Sequence, residues 1–172
     1  MTPPESSPVG TAELRGDIQD FTMANTFISC YTHCIFSTKG RRNLIFRDMQ
    51  ERLWAYFGSV AREHNLACLS AGGIDNHAHV LLSLPATVTI LKAMQLIKGG
   101  SSKWINETFP AAGKFEWQEG YGAFSVGASQ KTAVRTYIDS QAVHHGNTTF
   151  EEEYIAFLNR YGVEYDERYV FG

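Results

Sequence analysis

His77 and His79 occupy alternate positions in Gly73-Ile-Asp-Asn-His-Ala-His-Val-Leu-Leu-Ser-Leu-Pro85. After Asn76 the run alternates, with Ala78, Val80, Leu82 and Leu84 on one side and His77, His79 and Ser83 on the other. Period two is the signature of a strand, so both imidazoles lie on one face, about two residue rises apart. Paired imidazoles at that spacing can share one metal ion. The plain alternative is two half-exposed histidines on an edge strand.

A second group of reactive side chains falls in Val134-Arg-Thr-Tyr-Ile-Asp-Ser-Gln141. A helix started by Ser129 and running to about His144 puts Tyr137 and Gln141 on one face, one turn apart. Two imidazoles, an amide oxygen and further oxygen ligands suit Mg²⁺ or Mn²⁺ better than a closed zinc site. A tyrosine beside such an ion can attack a phosphate that the ion polarises. With an ordinary pKa of about 10, the phenol must lose its proton during attack. Taken without the histidines, a Tyr and a Gln on an amphipathic helix read as packing and surface.

The elements that must bring these groups together follow from periodicity. Phe27–Ser37 reads as a strand and Arg47–His64 as a helix with Met49, Leu53, Phe57 and Val60 on one face. Leu66–Ala71 reads as a strand stopped by Gly72-Gly73, and His77–Leu84 is the histidine strand. Thr87–Phe109 is a helix that Gly99-Gly100 can kink, and Phe115–Ser125 is a further strand. The order matches a split βαβ, ferredoxin-like βαββαβ antiparallel sheet of α+β class, with an additional C-terminal helix carrying the tyrosine. The apolar side of the histidine strand must meet the crossover helices. His77 and His79 then face the other way, and the helix from Ser129 is the candidate to cover them.

Composition narrows the class. At 172 residues, with 44% hydrophobic and 19% charged residues, the chain reads as one soluble globular domain. It contains no apolar run of membrane-spanning length, and its start lacks a secretory pattern. Cys30, Cys34 and Cys68 show no paired spacing and read as core thiols of a cytoplasmic protein. The net charge of −3 gives no global case for nucleic-acid binding, so any such binding needs a local basic patch. Residues 1–24 read as a disordered tail, 25–148 as the domain and 149–172 as an acidic extension containing one short helix.

Four stretches carry a resemblance: His33-Cys-Ile-Phe-Ser-Thr-Lys-Gly-Arg-Arg42, Asp75-Asn-His-Ala-His-Val-Leu81, Leu96-Ile-Lys-Gly-Gly-Ser-Ser-Lys-Trp104 and Val134–Gln141. In that order the chain resembles the HUH-type single-tyrosine transposases of the insertion-sequence 200/605 family and the related REP-associated tyrosine transposases. The resemblance spans roughly Phe27 to His145. It implies that His77, His79 and Gln141 hold a divalent metal. It implies that Tyr137 attacks a DNA phosphate, leaving a 5′-phosphotyrosine and a free 3′-hydroxyl. It further implies single-stranded DNA with hairpin ends as substrate, and a homodimer in which one subunit's tyrosine helix can complete the other's site.

DNA binding also needs cations. Lys39, Arg41 and Arg42 cluster in one turn, and Lys98 and Lys103 flank Gly99-Gly100-Ser101-Ser102, whose small side chains would let a phosphate approach. Trp104, Trp117 and Tyr121 can stack on unpaired bases or fill the core. Rival classes fit less well. A histidine-triad hydrolase needs a third alternating histidine where Leu81 stands, and a replication initiator often carries a Lys where Ser140 stands. A domesticated hairpin-binding module without transposition activity is the non-enzymatic alternative. Relatives are often basic, whereas this chain is slightly acidic. Met23-Ala-Asn-Thr-Phe reads as a natural start, so the most N-terminal peptide of the native protein should begin at or after Met23; one beginning upstream contradicts that reading.

Overall fold

A computed structural model describes residues 27–141 and 148–171. The predicted tail over residues 1–24 and residues 142–144 of the predicted tyrosine helix lie outside the described residues. The elements are β1 (Tyr31–Ser37), α1 (Arg47–Glu63), β2 (Ala67–Ile74), β3 (His77–Ser83), α2 (Ile90–Thr108), β4 (Gly122–Val126), α3 (Lys131–Asp139) and α4 (Phe150–Arg160). The strands form one sheet in the order β2-β3-β1-β4, and every neighbouring pair is antiparallel. This is the ferredoxin-like α+β arrangement the sequence predicts.

Strand parity divides the residues between two layers. Cys34 and Phe36 on β1, with Ala78, Val80 and Leu82 on β3, point to α1 and α2. There they join the helical stripes of Leu53 and Phe57 on α1 and Met94 and Ile97 on α2 in the main core. The opposite parity carries Ile35, His77, His79 and Leu81 to the other face. That face is covered twice. Ile138 of α3 packs on Leu81 and Val126, and Phe150 and Leu158 of α4 pack on Ile35 and Phe124. Each fully buried side chain of this size contributes roughly 1.5–3 kcal/mol.

Three contacts fix where α3 lies. Ile138 seats in the sheet, Ser70 Oγ on β2 donates to Asp139 Oδ1 at 2.6 Å, and Gly72 passes directly under the Ile138 backbone. A Cβ at Gly72 would stand 2.5 Å from the Ile138 carbonyl oxygen. The glycine pair therefore does not end β2, as the sequence suggests. The strand runs through both residues, which pair with His79 and Ala78. They are glycines because backbone from α3 and from β3 comes too close for a side chain.

Other boundaries differ for local reasons. Gly99-Gly100 stay helical, and the Tyr56 phenol donates to the Gly100 carbonyl at 3.2 Å. The predicted Phe115–Ser125 strand shortens to β4 preceded by one isolated bridge, Thr38 to Trp117. Lys98 Nζ holds the intervening loop by donating to the carbonyls of Gln118 and Gly120. All three cysteines are free; Cys34 is buried, Cys68 half-buried, and Cys30 is exposed ahead of β1 rather than in the core. Among the described residues no helix is long and apolar enough to cross a membrane.

The acidic extension does not trail away from the domain. Thr149 caps α4, accepting from the Glu152 amide at 3.2 Å while the Glu152 carboxylate takes the Thr149 amide at 2.9 Å. Three glutamates in the first turn suit the positive end of the helix dipole. The chain then returns so that Val170 and Phe171 pack on the same cluster.

The two kinds of glycine predict opposite outcomes. Gly72→Ala should lower stability by about 1–3 kcal/mol through forced displacement of α3. Gly99→Ala, on an open helical surface, should leave stability unchanged or raise it by up to about 1 kcal/mol. Thermal denaturation of both variants checks the signs.

Candidate functional site

The site grows from the β2–β3 turn and the β1–β3 register. Asp75 and Asn76 form the two-residue turn between Ile74 and His77. Asn76 also serves as a side-chain partner, its Oδ1 lying 2.7 Å from His77 Nδ1. On β1, His33 faces the same way as Ile35, and its Nε2 lies 3.0 Å from His79 Nδ1. Both histidines of β3 thus have Nδ1 engaged on the side away from the centre. Their Nε2 atoms converge on one carboxylate oxygen, Glu153 Oε2, each at 3.4 Å. His77 and His79 are fully buried.

Tyr137 lies on α3, whereas Gln141 follows it: the predicted helix from Ser129 begins at Lys131, after a 3-10 turn that holds Ser129, and ends at Asp139 with Ser140 as its cap, two residues short of Gln141. The Tyr137 hydroxyl donates to Glu153 Oε1, and Gln141 Nε2 donates to the same oxygen at 3.1 Å. The Tyr137 ring stands edge-on to His79, centroids 5.8 Å apart. Gln141 is buried, and its Oε1 accepts no hydrogen bond among the described residues. One chain therefore brings together all four residues the sequence singled out, His77, His79, Tyr137 and Gln141.

Sequence reasoning missed Glu153. Burial pushes its carboxyl up, but the two imidazoles outweigh that and hold it at about 2, so it is an anion at neutral pH. The missed signal was helical phase. Phe150, Tyr154, Phe157 and Leu158 form the apolar stripe of α4, and Glu153 falls on that stripe, three residues after Phe150 and four before Phe157. His33 was also missed. Burial, and then the neighbouring His79, hold its ring at about 3, so it is neutral.

The donor set fits a divalent cation. The ligand atoms of His77, His79 and Glu153 all lie within 4.8 Å of one another. Metal–ligand bonds of about 2.0–2.2 Å put neighbouring donors roughly 3 Å apart, close to the 3.4 Å separations present. Two imidazole nitrogens, one carboxylate oxygen and the Gln141 amide oxygen would fill a tetrahedral zinc shell, whereas an octahedral ion keeps two positions for other ligands. Engagement of both Nδ1 atoms is the arrangement usual behind ligating histidines.

The cations expected to meet DNA are dispersed. Lys39 pairs with Glu116 at 3.0 Å, and Arg42 is exposed with its Nε on the Lys39 carbonyl at 3.3 Å. Arg41 is turned to the C-terminal segment, at 2.6 Å from Glu151 and 3.2 Å from the Phe171 carbonyl. Lys98, Ser101 and Lys103 lie on α2, across the sheet from the imidazoles. Lys98 holds the loop described above, and burial lowers its ammonium to about 8. Ser101 is fully buried; its hydroxyl donates to the Ile97 carbonyl at 2.6 Å and accepts from Trp117 Nε1 at 2.9 Å. It offers no surface to a phosphate in this structure. Lys103 is exposed near Glu107. Trp117 belongs to the core, and Trp104 stacks on Tyr56.

Comparison with known proteins bears on the same elements. Residues 26–141 match the family described as "Transposase IS200 like". The transposase for insertion sequence element IS200 of Salmonella typhimurium is 26% identical over 126 residues, covering 70% of this chain and 82% of that protein. The Salmonella typhi protein of the same description matches equally. Among solved structures, a protein of Deinococcus radiodurans R1 described as a transposase candidate superposes with TM-score 0.54 at 20% identity, covering 68% of this chain and 95% of the other. A REP-associated tyrosine transposase bound to a REP hairpin superposes with TM-score 0.53 at 14% identity, covering 72% and 73%.

The cluster predicts metal-dependent stabilisation. Mn²⁺ at about a hundred times its Kd should add roughly 2.7 kcal/mol and raise the melting midpoint by several degrees. The shift should vanish in His77→Ala and in His79→Ala. A full shift in both variants would place the ion elsewhere.

Proposed function

The chain belongs to the IS200-like transposase family, and on that premise we propose that it cleaves and rejoins single-stranded DNA through a 5′-phosphotyrosine on Tyr137. The observation that carries this reading is the convergence of the Tyr137 phenol, the two imidazoles and Gln141 around one buried point. His77, His79 and Gln141 would hold Mg²⁺ or Mn²⁺, with Glu153 as an added oxygen donor. When bound, such an ion polarises the scissile phosphate and stabilises charge developing on it.

The remaining work falls to the chain's own residues. The Tyr137 oxygen forms the bond to phosphorus as the bond to the 3′-oxygen breaks. The hydrogen bond to Glu153 orients the hydroxyl; the phenol proton leaves during attack and the departing 3′-oxygen takes one up to become the free 3′-hydroxyl, so the step balances. The new phosphotyrosine keeps the energy of the broken linkage, so attack by another 3′-hydroxyl rejoins the strand. α3 supplies the positioning, because Ile138, adjacent to the nucleophile, is locked into the sheet. The phenol stands beside its own chain's imidazoles, so one subunit assembles the constellation. That proximity supports action of the tyrosine in cis within the proposed homodimer.

The substrate we assign is single-stranded DNA with hairpin ends of an insertion sequence, met in the cytoplasm. The hairpin bound by the REP-associated relative supports that class. Of the five cations the sequence assigns to DNA, Lys39, Arg42 and Lys103 are exposed and available for backbone contacts. Their salt-dependent contribution would be small, in keeping with a net charge of −3.

The test is incubation with labelled single-stranded DNA from the ends of the protein's own element, with Mg²⁺ or Mn²⁺. A covalent protein–DNA adduct should form and should disappear in Tyr137→Phe, while that variant still binds Mn²⁺. Tight hairpin binding with no adduct in wild type would instead identify a binding module. Preference for duplex over single-stranded DNA would contradict both.

A further inference from the structure

We propose that His33 is a positioning residue of the metal centre, which holds His79 in the one tautomer that can ligate. The inference rests on the reading of His77 and His79 as metal ligands. It starts from the register of the sheet. On β1, His33 pairs with Leu81 and Ile35 pairs with His79. His33 and His79 are therefore diagonal neighbours on one face of an antiparallel pair, within reach of long side chains. Their rings stack with centroids 5.2 Å apart, and His33 Nε2 lies 3.0 Å from His79 Nδ1.

Two nitrogens at that distance share one proton. If the proton sits on His33 Nε2, then His79 carries its own proton on Nε2, the atom facing Glu153, and cannot donate a lone pair to a cation there. If the proton sits on His79 Nδ1, the Nε2 lone pair faces the centre. The companion histidine has the second arrangement by a different partner, since the Asn76 carbonyl oxygen can only accept from His77 Nδ1. The same duty falls to an amide on one ligand and an imidazole on the other.

The surroundings leave His33 little else to do. It is 1% exposed, and the edges of Phe157 and Tyr137 close around it at 5.1 and 6.2 Å. A buried imidazole costs stability unless its polar atoms are hydrogen-bonded, and His79 supplies that bond. A hydrophobic residue would fill the space and bury the face equally well. What it would not do is accept the His79 proton.

The experiment uses the full chain and two substitutions. His33→Leu removes the acceptor and keeps the bulk. His33→Gln keeps an acceptor oxygen near the place of Nε2. Mn²⁺ affinity, read by titration of free Mn²⁺ in electron paramagnetic resonance, should fall about 10–100-fold in His33→Leu and return to within a few-fold of wild type in His33→Gln. In the ¹⁵N-labelled, Mg²⁺-loaded wild type, nuclear magnetic resonance should find the shared proton on His79 Nδ1, with a coupling across the hydrogen bond to His33 Nε2. A proton on His33 Nε2, or a folded His33→Leu with wild-type affinity, overturns the role of His33 alone. If Mn²⁺ binding by the wild type survives His77→Ala and His79→Ala, the centre itself is overturned and His33 with it. Should His33→Leu fail to fold, the location of the proton and the affinity of His33→Gln still decide the matter.

Discussion

A carboxylate buried against two imidazoles is the interaction on which the rest of this structure depends. An ionised carboxyl taken out of water is costly unless charge and hydrogen bonds compensate. At Glu153 the compensation comes from the phenol of Tyr137 and the amide of Gln141 on one oxygen, and on the other from the imidazoles of β3 when their Nε2 atoms carry protons. Helix α4 is thereby fixed in rotation, because only one phase puts Glu153 inward while Phe150 and Leu158 reach Ile35 and Phe124. Once the imidazoles release the Nε2 protons that face Glu153, the same carboxylate and the freed lone pairs make the point attractive to a divalent cation.

Everything around that point is arranged to hold it still. The sheet presents the histidines on a strand with neighbours on both sides, so neither imidazole depends on a loop for its position. Gly72 and the Ser70–Asp139 hydrogen bond let α3 lie close to the sheet, which sets the Tyr137 phenol beside the two imidazoles. The main core lies on the far side, between the sheet and α1 and α2. The division of labour follows from period two alone: one parity of β3 builds the core and the other builds the site.

Strand and helix period carried most of this in the sequence. Alternation from Ala78 to Leu84 placed both histidines on the face away from the crossover helices, and four-residue spacing placed Tyr137 with Gln141. What escaped depended on long-range register or on choosing among equivalent residues. His33 becomes a partner of His79 only once β1 is known to pair with β3 in one register. Glu151, Glu152 and Glu153 look alike in a charged run, although helical phase separates the third from the other two. Ser101 looked like a phosphate-facing small residue, yet it continues the buried stripe of Met94, Ile97 and Ile105 on α2. The glycines at 72 and 73 looked like a stop because the close approach of α3 to Gly72 leaves no mark in the sequence near it, and that of β3 to Gly73 appears only once the two strands pair.

The most direct measurement of the central claim is a crystal structure of the protein with Mn²⁺, using the anomalous scattering of manganese to locate the ion. The account predicts a peak bonded at about 2.0–2.2 Å to Nε2 of both His77 and His79, with the Tyr137 hydroxyl in the same cavity. A peak away from the two imidazoles, or none at saturating Mn²⁺, would contradict it.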